Sequence, residues 1–97
     1  MYQNDPDSRF EAALQLSEVD PGRAAEVLRL IAMDPEFDHD TRFEAAQRLS
    51  EVDERRAAGA LRKIIMDDGF DAGIRDEAAH RLSEVDPAQA AEVAWLH

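Results

Sequence analysis

A tetrapeptide that returns at a fixed interval constrains this chain more than any other feature. Ser17-Glu18-Val19-Asp20, Ser50-Glu51-Val52-Asp53 and Ser83-Glu84-Val85-Asp86 are spaced by 33 residues, and a fixed period between about 20 and 50 residues marks stacked repeat architectures. Aligned on it, residues 8–40 and 41–73 are identical at 20 of 33 positions, and 74–97 follow as a third copy. Each copy reads as a pair of short helices. Such a pair cannot cover its own apolar faces, so each must stack on its neighbour, and three units is the smallest array expected to be stable.

Within a unit the elements follow from residue type. Ser8 with Glu11 and Thr41 with Glu44 have the spacing of a capping box and predict helix starts at Ser8 and Thr41. The third copy, Ile74-Arg75-Asp76-Glu77, lacks the hydroxyl, which passes the start to Asp71 or Gly73. The first helices carry an i, i+4, i+7 stripe: Ala12, Leu16, Val19; Ala45, Leu49, Val52; Ala78, Leu82, Val85. Asp20, Asp53 and Asp86 are placed to cap the next helix, with Pro21 and Pro87 where a missing N–H costs nothing. The tetrapeptide is therefore a corner, pinned by a buried valine. The second helices carry Ala24, Val27, Leu28, Ile31; Ala57, Ala60, Leu61, Ile64; and Ala90, Val93, Ala94, His97. Phe37 and Phe70 are expected to plug the connectors, where Pro35 or Gly69 breaks the helix.

The predicted fold is all-α: a short α-solenoid of three stacked helical hairpins, about six helices. Residues 1–7 form a lead-in and 8–97 a single repeat domain, with repeats 8–40, 41–73 and 74–97. Composition adds exclusions. A formal net charge of -11 opposes attraction to nucleic acid phosphates and anionic lipid headgroups. No apolar run approaches the roughly 20 residues of a membrane span. With no cysteine, and no secretion signal in Met1-Tyr2-Gln3-Asn4-Asp5, a cytoplasmic location is expected.

Arg42-x-x-Ala45-Ala46-x-x-Leu49-x-x-x-Asp53 recurs at Arg9, Ala12, Ala13, Leu16, Asp20 and at Arg75, Ala78, Ala79, Leu82, Asp86. With an alanine-rich second helix and an Asp-containing connector, it resembles the HEAT-like repeats of the phycobilisome-lyase type, from residue 8 onward. The resemblance implies a helical solenoid with a repeated Asp–Arg clasp, here Asp5–Arg9, Asp38–Arg42 and Asp71–Arg75. Its members include bilin lyases and many unrelated binding proteins. A lyase built on this chain would need a larger partner or a longer array to supply the pocket.

Catalytic chemistry has little to stand on. Ser17, Ser50 and Ser83 are corner residues, and His80 stands where the first unit has Leu14. Asp38-His39-Asp40 reads as a solvated loop, since three consecutive residues rarely converge on one ion. Asp67-Asp68-Gly69-Phe70-Asp71 lacks the alternating oxygens and closing glutamate of a calcium loop. No metal or cofactor is expected, and the chain is read as non-enzymatic.

The outward face of the second helices is the candidate binding surface. It carries Arg23, Glu26, Arg29, then Arg56, Gly59, Arg62, then Gln89, Glu92, Trp95, each at i, i+3, i+6. In solenoids these helices line the concave side, where partners bind. Gly59 within a helix costs about 1 kcal/mol against alanine, which calls for tight packing first, or for a notch under a ligand backbone. Trp95 is either a cap over the stack or an interface anchor. The expected partner is another protein, of unknown identity. Two alternatives are a bilin-lyase-like subunit and an acidic nucleic-acid mimic that binds a basic protein. Open apolar ends also suggest a homodimer formed through the repeat ends.

Overall fold

The computed structural model describes residues 6–96, with side chains from 8 to 94. Six helices follow one another: α1 (Pro6–Val19), α2 (Pro21–Met33), α3 (His39–Val52), α4 (Glu54–Ile65), α5 (Ala72–Val85) and α6 (Pro87–Leu96). They form three hairpins, α1–α2, α3–α4 and α5–α6, stacked in chain order. The broadest packing lies between units, α2 on α3 and α4 on α5. The fold is thus a short all-α solenoid.

Aspartate punctuates nearly every boundary. Asp20, Asp53 and Asp86 accept the backbone N–H of Arg23, Arg56 and Gln89 at 3.2 to 3.3 Å and so open α2, α4 and α6. Asp34 and Asp67 fold the connectors into matching turns, accepting from Glu36 N at 2.9 Å and Gly69 N at 2.8 Å. The turns close through Phe37 N to Asp34 O and Phe70 N to Asp67 O. Pro35 holds Asp34 extended, which ends α2 abruptly.

The starts of α1 and α3 differ from expectation, whereas that of α5 falls where expected. α3 begins at His39 with Asp38 as its cap, accepting from Thr41 N at 2.7 Å, so Thr41 lies inside the first turn. α5 is capped by Asp71, one of the two residues expected there, through Ile74 N at 2.8 Å. α1 starts at Pro6, ahead of Ser8, and takes in the end of the expected lead-in. A carboxylate beside the positive helix end outcompetes the hydroxyl three residues on.

Ala24, Leu28, Ile31, Ala45, Leu49, Ala57, Leu61 and Ile64 are buried to within 1% of complete, and Phe37 and Phe70 plug the connectors as expected. The stripe of α1 behaves differently: Ala12 is exposed, Leu16 is half-buried and Val19 is 80% exposed. Val52 lines a crevice with Leu14, Ser17 and Leu28, so the corner valine packs on the preceding unit. The corner valine expected to be buried is half-buried at Val52 and Val85 and exposed at Val19.

The expected Asp–Arg clasps form with other partners. Asp38 and Asp71 are occupied as caps; Asp5 lies outside the described residues. Arg42 instead donates through Nε to the Ala32 carbonyl at 3.0 Å and lies 4.7 Å from the Phe70 ring centroid. Arg9 covers Phe37 at 4.9 Å and meets Asp34 at 3.8 Å; Arg75 meets Asp68 at 3.3 Å. Each arginine ties its helix to a connector.

Register and burial together predict different penalties for one substitution. Leu49→Ala removes a fully buried side chain and costs about 3 kcal/mol, while Leu16→Ala costs about 1 kcal/mol, because its side chain is only half-buried; urea denaturation of the two variants measures both.

The caps generate a pH dependence. Asp38 is held below the ordinary carboxylate range by the Thr41 N–H and then its hydroxyl, and Asp86 by the Gln89 side-chain amide and then its backbone N–H. Lower folded-state values mean that their stabilisation is complete above about pH 4 and is lost as pH falls through the depressed values. Asp38→Asn with Asp86→Asn keeps the caps and removes those titrations. The acid limb of stability against pH should therefore be shallower than in the wild type.

Candidate functional site

Second helices α2 and α4 carry Arg23, Arg29, Arg55, Arg56, Arg62 and Lys63, six of the chain's 11 cations, against only Glu26 and Glu54. Their buried alanine, leucine and isoleucine stripe turns these side chains outward. The result is a cationic strip on a strongly acidic chain.

Two neighbouring depressions divide the strip. One, of about 360 Å³, is lined by Glu26, Arg29, Leu30 and Arg56. The other, of about 800 Å³, is lined by Gly59, Arg62, Lys63, Met66, Asp67 and Asp68. Arg62 reaches from α4 to Glu92 on α6 at 3.3 Å and joins the second hairpin to the third across this surface. Arg56 is drawn to Asp53 at 3.5 Å and Arg23 to Asp20 at 4.0 Å, each pairing with the cap of its own helix. Among the described residues Arg29, Arg55 and Lys63 form no ion pair.

Five of the expected residues, Glu26, Arg29, Arg56, Gly59 and Arg62, therefore line the two depressions, and Glu92 joins through Arg62. Arg23 stands at the start of α2 and lines neither. Trp95 belongs to α6, but its side chain lies outside the described residues. Sequence reasoning missed Leu30 and Met66, which are 58% and 49% exposed. Leu30 falls at the register position of Lys63 and Leu96, and a large apolar residue beside Arg29, off the buried stripe of α2, was the available signal.

The other positions weighed for chemistry are committed locally. The Ser17, Ser50 and Ser83 hydroxyls donate to the carbonyls of Leu14, Gln47 and His80 within their own helices. His39 stacks on Phe70 with ring centroids 4.4 Å apart, and His80 pairs with Glu84 at 3.4 Å. Among the described residues no three His, Cys, Asp or Glu side chains are gathered for a metal, and no helix is long and apolar enough to cross a membrane.

Gly59 overturns the packing explanation. A Cβ built there meets nothing within 4 Å, so no neighbouring helix requires the glycine. Gly59→Ala should thus stabilise the fold by about 0.5 to 1 kcal/mol, seen as a raised urea midpoint with an unchanged m-value.

Searches of protein-family models, curated proteins and solved structures gave no match to this chain. What can be said of its function rests on the strip itself.

Proposed function

We propose that this chain is a non-enzymatic, HEAT-like interaction scaffold that binds another protein along the outer face of α2, α4 and α6. One observation carries the reading: Leu30 and Met66 stand exposed among Arg29, Arg56, Arg62 and Lys63 on a chain of net charge -11. Large apolar groups beside cations fit a helix or extended segment that presents carboxylates next to an apolar residue. The acidic groups around the strip disfavour nucleic acid and anionic membranes, which narrows the partner to protein.

Charge also sets the expected response to salt. Exposed ion pairs weaken with ionic strength, so partner binding should weaken as salt is raised. Arg29→Glu combined with Arg62→Glu should weaken retention of the partner from native extracts by about tenfold or more, equivalent to about 1.4 kcal/mol, with the helical circular dichroism preserved. Equal retention by the variant would remove the strip as the binding surface. Loss instead on neutralising Glu18, Glu51 and Glu84 would favour the acidic mimic.

A further inference from the structure

The two ends of the stack are complementary to each other, because each exposes what the internal junctions bury. Ala46, Ala58 and Leu61 are buried in the second unit, on which the third stacks through α4 and α5. Their register equivalents Ala79, Ala91 and Ala94 are exposed. At the opposite end, Ala45 and Leu49 are buried and Val52 is half-buried, while Ala12 and Val19 are exposed and Leu16 is half-buried.

We propose that copies of this chain associate head to tail, with α1 and α2 of one copy seated on α5 and α6 of another. The junction continues the contacts of α2 on α3 and α4 on α5, made by the same register positions. It also accounts for a groove of about 230 Å³ lined by Ile65, Asp76, Ala79, Leu82, Val93 and Ala94, among others. Asp76 stands where the earlier units have Phe10 and Phe43, and Ala94 where they have Leu28 and Leu61. The groove therefore has room for large apolar side chains, and the opposite end supplies Val19 and Leu16.

Polarity distinguishes this from a two-fold dimer. Unlike faces meet, so the contact does not close on itself and grows into open chains. With -11 on each copy, the copies repel until salt screens them. Self-association should strengthen with ionic strength, opposite to the response expected of the cationic strip. It uses other faces, so either reading can fail without the other.

Sedimentation of the 97-residue chain over a wide concentration range, at low and high salt, tests the proposal. Val19→Asp and Ala79→Asp change exposed residues at opposite ends and should keep the fold, checked by thermal melting. Each alone should associate about tenfold more weakly or worse than the wild type, because a charge is buried at every junction. Mixed together they retain one intact pair of faces and should form a heterodimer that grows no further. A wild type that stays monomeric at every concentration and salt, or a mixture that stays monomeric while the wild type assembles, would overturn the inference.

Discussion

A hairpin of two short helices has apolar residues on more than one side, and stacking is the only way this chain can hide them. Ala45 and Ala46 show the constraint at its simplest. They are adjacent in α3, both fully buried, and point to different neighbours: Ala45 shares its register with Ala12 and Ala78, Ala46 with Ala13 and Ala79. Ala78 is buried and Ala12 exposed, Ala13 is buried and Ala79 exposed. Helix packing this close depends on small side chains, and a larger one would have to push two units apart.

Stacking also demands that every hairpin turn and every connector repeat the same geometry, and aspartate supplies most of it. Asp20, Asp34, Asp38, Asp53, Asp67, Asp71 and Asp86 each accept a backbone N–H at a helix start or turn. Seven of the 22 acids are thus fixed by folding rather than by any partner. The arginines of the first helices belong to the same scheme. Arg42 satisfies a carbonyl at the end of α2 and covers Phe70, whereas the buried Nε of Arg75 has no hydrogen-bond partner among the described residues. The repeated arginine keeps its place in every unit although its partners change.

The period, the corner caps, the connector phenylalanines and the stripes of α2 and α4 were legible in the sequence, since each depends on residues close together in the chain; in α6 the expected stripe keeps Val93 buried but leaves Ala94 exposed. Three features were not, for identifiable reasons. The capping-box pattern at Ser8 and Thr41 is genuine as a local motif, but Asp38 stands three residues earlier with a stronger acceptor, and local pattern does not rank the two. The exposure of Val19 follows from its place at an end of the stack, which a repeated tetrapeptide does not encode. The partners of Arg42 lie 10 residues back at Ala32 and 28 residues ahead at Phe70, separations that depend on how units stack. Of the candidate site, the cations were legible because the buried stripe fixes the opposite face; Leu30 and Met66 were not, because an apolar residue next to a buried stripe does not by itself show in the sequence that it stands in solvent.

Once residues required by the fold are set aside, those left unexplained point to the outer face of α2 and α4. No contact in the stack calls for Leu30 or Met66 to stand in solvent, and no neighbour requires a glycine at position 59. Each is unfavourable or neutral for the isolated chain: exposed apolar area lowers solubility, and a helical glycine lowers helix stability. They share one surface, and on it lie cations that the acidic background does not neutralise: Arg29 and Lys63 line its depressions without an ion pair among the described residues. Costs that folding does not require, gathered on one face beside cations without an ion pair among the described residues, are the physical ground for reading that face as the one that meets a partner.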